Sequence, residues 1–69
     1  MLVHVRFRPR RQEDRPVELP EGATVADLVA AVGEHVDVMV CVRGGVPVPE
    51  DEPVRDGEEL LLLSAASGG

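Results

Sequence analysis

From its second residue the chain alternates. In LVHVRFR (Leu2–Arg8), Val3, Val5 and Phe7 fall on one side and His4, Arg6 and Arg8 on the other, the period of a half-buried strand. PRRQEDRP (Pro9–Pro16) is charged and bounded by proline, so it predicts a loop or wide hairpin connection. VEL (Val17–Leu19) resumes the alternation as a return strand, and PEG (Pro20–Gly22) breaks it. A helix of about ten residues follows, because Val25, Leu28, Val29 and Val32 recur at i, i+3, i+4 and i+7. Thr24 is its predicted N-cap, Asp27 completes a capping box, and Gly33 supplies a left-handed stop. VDVMVCVR (Val36–Arg43) reads as a third strand, with Val36, Val38, Val40 and Val42 on one face. Asp37, Met39, Cys41 and Arg43 take the other. After Gly44-Gly45, VPVPEDEPVRDG (Val46–Gly57) carries three prolines and four acids, which predicts a surface excursion with at most a short edge strand. Glu59–Leu63 is the last strand.

One short helix covers one face of a small sheet and no more. The expected architecture is therefore α+β of the β-grasp (ubiquitin-like) kind, with one main helix on one face of a four- to five-stranded mixed sheet. Its first and last strands are expected as parallel neighbours. Residues 1–63 form the one domain, and residues 64–69 are expected to be a flexible C-terminal tail. The helix side is expected to receive Val3, Val5, Phe7, Val17, Leu19, Val38, Val40, Val42, Leu60 and Leu62. By the same parity Leu61 and Leu63 point away from the helix, together with Met39 and Cys41. Those four side chains predict an apolar patch for a binding partner. A second copy of the chain, or residues 46–57 folding over, would cover the same face.

Charge narrows the choice of partner. The net formal charge of the 69 residues is −6, yet residues 1–15 hold five of the seven arginines and carry +3, leaving −9 on the rest. An acidic body with Phe7 as its one aromatic is poorly suited to nucleic acid, which asks for phosphate neutralisation and stacking surfaces. Cys41 is the sole cysteine, so no internal disulfide and no cysteine-rich metal site is expected. It fits a reducing cytosol. Neither His4 nor His35 has the company of a metal ligand set, and neither is placed to activate Cys41. The N-terminus has the reverse order of a secretory signal, and no apolar run approaches the ~20 residues of a membrane span. A cytoplasmic protein without membrane contact is expected.

The final residues, SAASGG (Ser64–Gly69), carry almost no side chain. Extended at ~3.3 Å per residue they reach roughly 20 Å, thin enough to enter a narrow channel. Gly68 and Gly69, after Ser67, lack Cβ atoms where backbone would run closest to another protein. What such an arm delivers is a carboxylate, ionised at neutral pH with a reference pKa of ~3.5. A carboxylate is a fair nucleophile toward the α-phosphorus of ATP, and the mixed anhydride so formed is open to sulfide or thiolate.

Over essentially its whole length the chain resembles the ubiquitin-like sulfur carriers of the MoaD/ThiS family. The residues that carry the resemblance are VMVCVRGGVPVPED (Val38–Asp51), DGEELLLL (Asp56–Leu63) and SGG (Ser67–Gly69). VRGG, PEDE (Pro49–Glu52) and LSAASGG (Leu63–Gly69) are most similar to the TtuB branch, which serves 2-thiouridine synthesis in tRNA. The archaeal small modifier proteins share the PVPED-like stretch (Pro47–Asp51). The resemblance implies a carrier with no catalytic residues and no bound cofactor or metal. Gly69 would be adenylated by an E1-like adenylyltransferase that uses ATP, then converted to a thiocarboxylate. It further implies a sulfurtransferase or cysteine desulfurase as donor, and a tRNA thiolase as consumer that holds the tRNA itself. Alternative consumers are the molybdopterin synthase large subunit and thiazole synthase. A modifier attached through Gly69 to substrate lysines is the other reading. The chain has no lysine, so lysine-linked chains of itself are excluded.

Overall fold

A computed structural model of the chain describes residues 1–10 and 12–64. Five strands and one helix follow in the order β1 (Leu2–Arg8), β2 (Arg15–Glu18), α1 (Val25–Ala31), β3 (Met39–Arg43), β4 (Val46–Val48) and β5 (Glu59–Ser64). They form one sheet of order β2-β1-β5-β3-β4. β1 and β5 pair in parallel, and the other neighbours are antiparallel. The last strand thus occupies the centre, and the elements on either side of it were laid down earlier in the chain.

The core lies between α1 and one sheet face. Val3, Val5 and Phe7 of β1, Val17 and Leu19 of the β2 arm, and Leu60 and Leu62 of β5 are buried there against Val25, Leu28, Val29 and Val32. A helix of seven residues is too short to persist alone in water. Its ends are satisfied from outside. Thr24 is the N-cap, and its side chain and that of Asp27 exchange hydrogen bonds with each other's backbone. The next two donors, Val25 N and Ala26 N, reach Glu52 O at 2.9 Å and Glu50 O at 2.8 Å. At the other end Gln12 Nε2 donates to Val32 O at 2.8 Å, and Gly33 at φ 80° turns the chain away. Backbone groups that a helix terminus leaves unpaired are supplied here by two connections distant in sequence.

The excursion between β4 and β5 therefore lies at the helix N-terminus, with Val54 buried in the core and Val54 N donating to Ala23 O at 3.0 Å. It does not fold over the opposite sheet face. Arg43 fixes it from the sheet side. Its guanidinium donates to Glu58 at 2.8 and 3.1 Å, to Glu52 at 2.6 Å and to Pro53 O at 2.9 Å. Those hydrogen bonds, to Glu58 first and then to Glu52, hold Arg43 still more firmly protonated than usual. Burial alone would raise the Glu58 carboxyl, but Arg43 and the Arg55 N–H outweigh it and hold it below its ordinary 4.5.

A group that ionises more readily folded than unfolded contributes stability above its unfolded pKa and loses it as pH falls through the folded one. Arg43→Ala is expected to lower stability at neutral pH by roughly 1–2 kcal/mol, since the ion pairs are only partly shielded. Thermal melts between about pH 7 and pH 3 should show the wild type losing more stability below its 4.5 reference than the variant loses.

The structure corrects the sequence reading in β3. Residues 36–38 form a turn, with Val38 N donating to His35 O at 3.1 Å, and extended backbone starts only at Met39. Period two holds only along extended chain, so parity carried forward from Val36 arrives at β3 out of phase by one. Met39 and Cys41 face the core, 8% and 2% exposed, while Val40 and Val42 take the open face. VMVCV is apolar at every position and holds no alternation that would have exposed the slip. β5 also runs one residue further than expected, through Ser64.

Candidate functional site

The sheet face away from α1 is built by register. Across the β3–β5 pair, Val40 stands opposite Leu63 and Val42 opposite Leu61. Across the parallel pair, Arg6 stands beside Leu61 and Arg8 beside Leu63, and on β4 Pro47 lies opposite Val42. Directly paired residues share a face. The result is a half-buried apolar quartet, Val40, Val42, Leu61 and Leu63, with two arginines along its β1 side. Leu61 and Leu63 lie on the face expected of them. Met39 and Cys41 are not part of it, and their places are taken by Val40 and Val42. The signal that would have found the valines is the position of the turn before β3, which fixes where parity starts.

The β3–β4 connection shapes one margin. Gly44 and Gly45, at φ 56° and 83°, make the two-residue turn whose twist suits a hairpin and which L side chains resist. Beside it the face is indented by a hollow of about 210 Å³ lined by Arg6, Val42, Gly44, Gly45, Glu59 and Leu61. At the far end of β1, Arg8 Nη1 donates to Phe7 O at 2.6 Å and lies 3.5 Å from Asp14 Oδ1. Asp14 also accepts the Phe7 N–H at 3.0 Å, which with the nearby arginines holds its carboxyl below the ordinary range. β5 leaves the sheet at this end, alongside Arg8. Ser67, Gly68 and Gly69, the predicted working residues, lie outside the described residues, as does Arg11 of the arginine-rich connection.

Cys41 is inert in this setting. Burial pushes its thiol up to about 11, and the pull of the Arg43 charge in the other direction is smaller. A buried, protonated thiol is neither nucleophile nor ligand. Maleimide labelling of native protein is expected to be on the order of a hundred-fold slower than in denaturant, because reaction must wait for opening. Rapid labelling in the native state would return Cys41 to the open face. Among the described residues no three His, Cys, Asp or Glu side chains are grouped to hold a metal ion, and no helix is long and apolar enough to cross a membrane.

Two comparisons bear on this architecture. The family model of small archaeal modifier protein 2 (SAMP2) matches residues 1–63. The structure is similar to the crystal structure of SAMP1 from Haloferax volcanii, with a TM-score of 0.68 and 24% identity over 100% of each chain. That likeness is one of fold, and the fold is β-grasp.

Proposed function

The chain belongs to the small archaeal modifier protein 2 family of ubiquitin-like modifiers and sulfur carriers, and from that premise we propose that it carries sulfur on the carboxyl group of Gly69. One observation supports this reading above the others. The central strand β5 leads directly into Ala65, Ala66, Ser67, Gly68 and Gly69, a sequence with no side chain larger than a hydroxymethyl. In this reading the head presents a stretch of sequence without bulky side chains, and the working group is the Gly69 carboxylate.

The chemistry belongs to partners. A carboxylate oxygen of Gly69 attacks the α-phosphorus of ATP, and pyrophosphate leaves. Hydrosulfide then attacks the acyl carbon, AMP leaves with the former carboxylate oxygen, and a thiocarboxylate remains. The head contributes recognition, through the Val40, Val42, Leu61 and Leu63 face. An E1-like adenylyltransferase is the activating partner in this scheme, and a sulfurtransferase or cysteine desulfurase the donor. The donor's persulfide releases hydrosulfide when a second thiol attacks it, and a disulfide is left behind. We favour tRNA 2-thiouridine as the destination because LSAASGG (Leu63–Gly69) is similar to the TtuB-type carriers. A tRNA thiolase would hold the RNA, which suits an acidic protein with its one aromatic buried. Incubation with the cognate activating enzyme, ATP and sulfide should add about 16 Da, one oxygen exchanged for sulfur. No gain would count against the proposal.

The description of the matching family favours a second reading, a modifier joined through Gly69 to lysines of other proteins. Its mark would be lysine-linked adducts in cell lysate that vanish when Gly69 is deleted.

A further inference from the structure

Charge is laid out along the sheet, and its positive end is the end at which β5 stops. Arg8 is paired with Leu63 across the parallel strands, one residue before β5 ends at Ser64. The β1–β2 connection continues from Arg8, and residues 8–15 hold four of the seven arginines against Glu13 and Asp14. At the opposite end, where β5 begins, residues 50–59 hold six acids against Arg55.

The connection is held at two points. Gln12 Nε2 donates to Val32 O at 2.8 Å and to Glu34 at 3.0 Å, tying it to the C-terminal end of α1. Asp14 accepts the Phe7 N–H at 3.0 Å and ties it back to β1. Arg8 bonds to Phe7 O beside Asp14, and Arg15 Nη1 donates to Gln12 Oε1 at 2.7 Å. Each guanidinium has five N–H donors, so both keep donors to spare. Arg10 is exposed and makes no hydrogen bond or ion pair with a described residue.

We propose that Arg8, Arg10 and Arg15 contact the phosphate backbone of the RNA that receives the sulfur, once the thiolase has brought carrier and RNA together. The proposal rests on the tRNA reading and names the part of the head that meets the acceptor. Five residues follow Ser64, and at ~3.3 Å each they reach no further than about 17 Å. Wherever Gly69 hands over its sulfur, the strand carrying the acceptor base passes nearer to this end of the head than to the other. Phosphates there meet guanidinium forks, which suit them in geometry and charge.

The kind of surface decides between partners. A protein interface concentrates affinity on apolar anchors. Among the described residues of the connection, 9, 10 and 12–14, there is no large apolar side chain. The large apolar side chains that stand exposed, Leu2 and Val46, lie at the end where β5 begins. Backbone contacts to a nucleic acid need no such anchor. The −9 on residues 16–69 keeps the free head from binding RNA, so the contact forms only on the enzyme.

The test follows sulfur transfer from the loaded full chain to an unmodified tRNA transcript on the cognate thiolase, as a function of tRNA concentration. Arg10→Glu is expected to raise KM for tRNA roughly three- to ten-fold at about 0.05 M salt, with kcat retained. Arg10→Lys should stay within about two-fold of wild type, and Arg55→Glu, the same charge change at the opposite end, should match wild type. Wild type and Arg10→Glu should converge as salt rises to about 0.5 M. Loading by the activating enzyme, read as the gain of about 16 Da, should be equal in all four chains. Equal KM for wild type and Arg10→Glu, or an equal rise for Arg55→Glu, would overturn the contact and leave the tRNA reading standing. An Arg10→Glu defect in loading, or in binding to the thiolase without tRNA, would also overturn it and assign the arginines to an acidic protein surface. Wild type that loads sulfur but passes none to tRNA would bring down the destination and this contact together, with the carrier reading intact. Wild type that gains no sulfur would bring down all three.

Discussion

A chain extended by one alanine after Gly69 is expected to take up no sulfur under conditions in which the original gains about 16 Da. The extension leaves the head unchanged, so circular dichroism and melting should not move. What it removes is the carboxylate on glycine. The new terminal carboxylate sits one residue further along and carries a Cβ beside the reacting carbon. An active site that admits a bare Gly-Gly backbone must reject that methyl or misplace the carboxylate. Displacements of an ångström at the reacting atoms already cost on the order of a hundred-fold. Loss should therefore be close to complete, read by intact mass and by release of pyrophosphate. A plain interaction module with β-grasp architecture would be indifferent to the extension, and equal activity of the two chains would favour that class. Conjugation to lysines uses the same carboxyl group and should fail in the same variant, so the extension tests terminal chemistry as such. Lysine-linked adducts in cell lysate, absent for a pure carrier, then separate modifier from carrier.

Leu62→Ala should cost about 2–5 kcal/mol, whereas Leu61→Ala, one residue away in the same strand, should cost about 1 kcal/mol or less. Leu62 has no exposed surface and sits in the central strand against Cys41, its partner across the β3–β5 pair. Truncation there leaves a cavity that neighbours on both sides cannot close. A domain of this size holds on the order of 3–10 kcal/mol in total, so Leu62→Ala should be partly or wholly unfolded at 37 °C. Leu61 is half-buried on the uncovered face, where loss of the side chain leaves no void. Urea melts of the two variants measure the difference directly. Near-equal losses would mean that the face opposite α1 is covered, contrary to the architecture described above. The pair also separates folding from recognition, because Leu61→Ala should weaken partner binding while the head stays folded.

The sequence shows different parts of this protein with different clarity. In β1 a polar residue marks every other position, so the parity of LVHVRFR assigns each side chain to its face, and pairing with β1 places Leu60 and Leu62 with Val5 and Phe7 as expected. Thr24, Asp27 and Gly33 mark the helix through chemistry that acts within a few residues, and those marks hold. The helix is nevertheless shorter than its apolar stripe, because Val32, the C-cap residue, still packs in the core. In β3 the reading fails. Five consecutive apolar residues carry no parity, and the turn at residues 36–38 that sets their phase, closed by Val38 N donating to His35 O, contains no glycine or proline to mark it. The predicted patch accordingly kept its two leucines but exchanged Met39 and Cys41 for Val40 and Val42.

By itself the sequence determined what depends on local rules: the order of elements, the cap, the sides of the first and last strands, the uneven charge and the side-chain-poor Ala65–Gly69 stretch. Tertiary structure decided what depends on where distant segments meet. It placed β5 between β1 and β3, brought Arg6 alongside Leu61 from more than fifty residues away, drew residues 49–58 onto the helix N-terminus, and buried Cys41. The reason is physical. Capping and alternation are settled between near neighbours, while the identity of a face is settled by the register of strands that the chain visits at opposite ends.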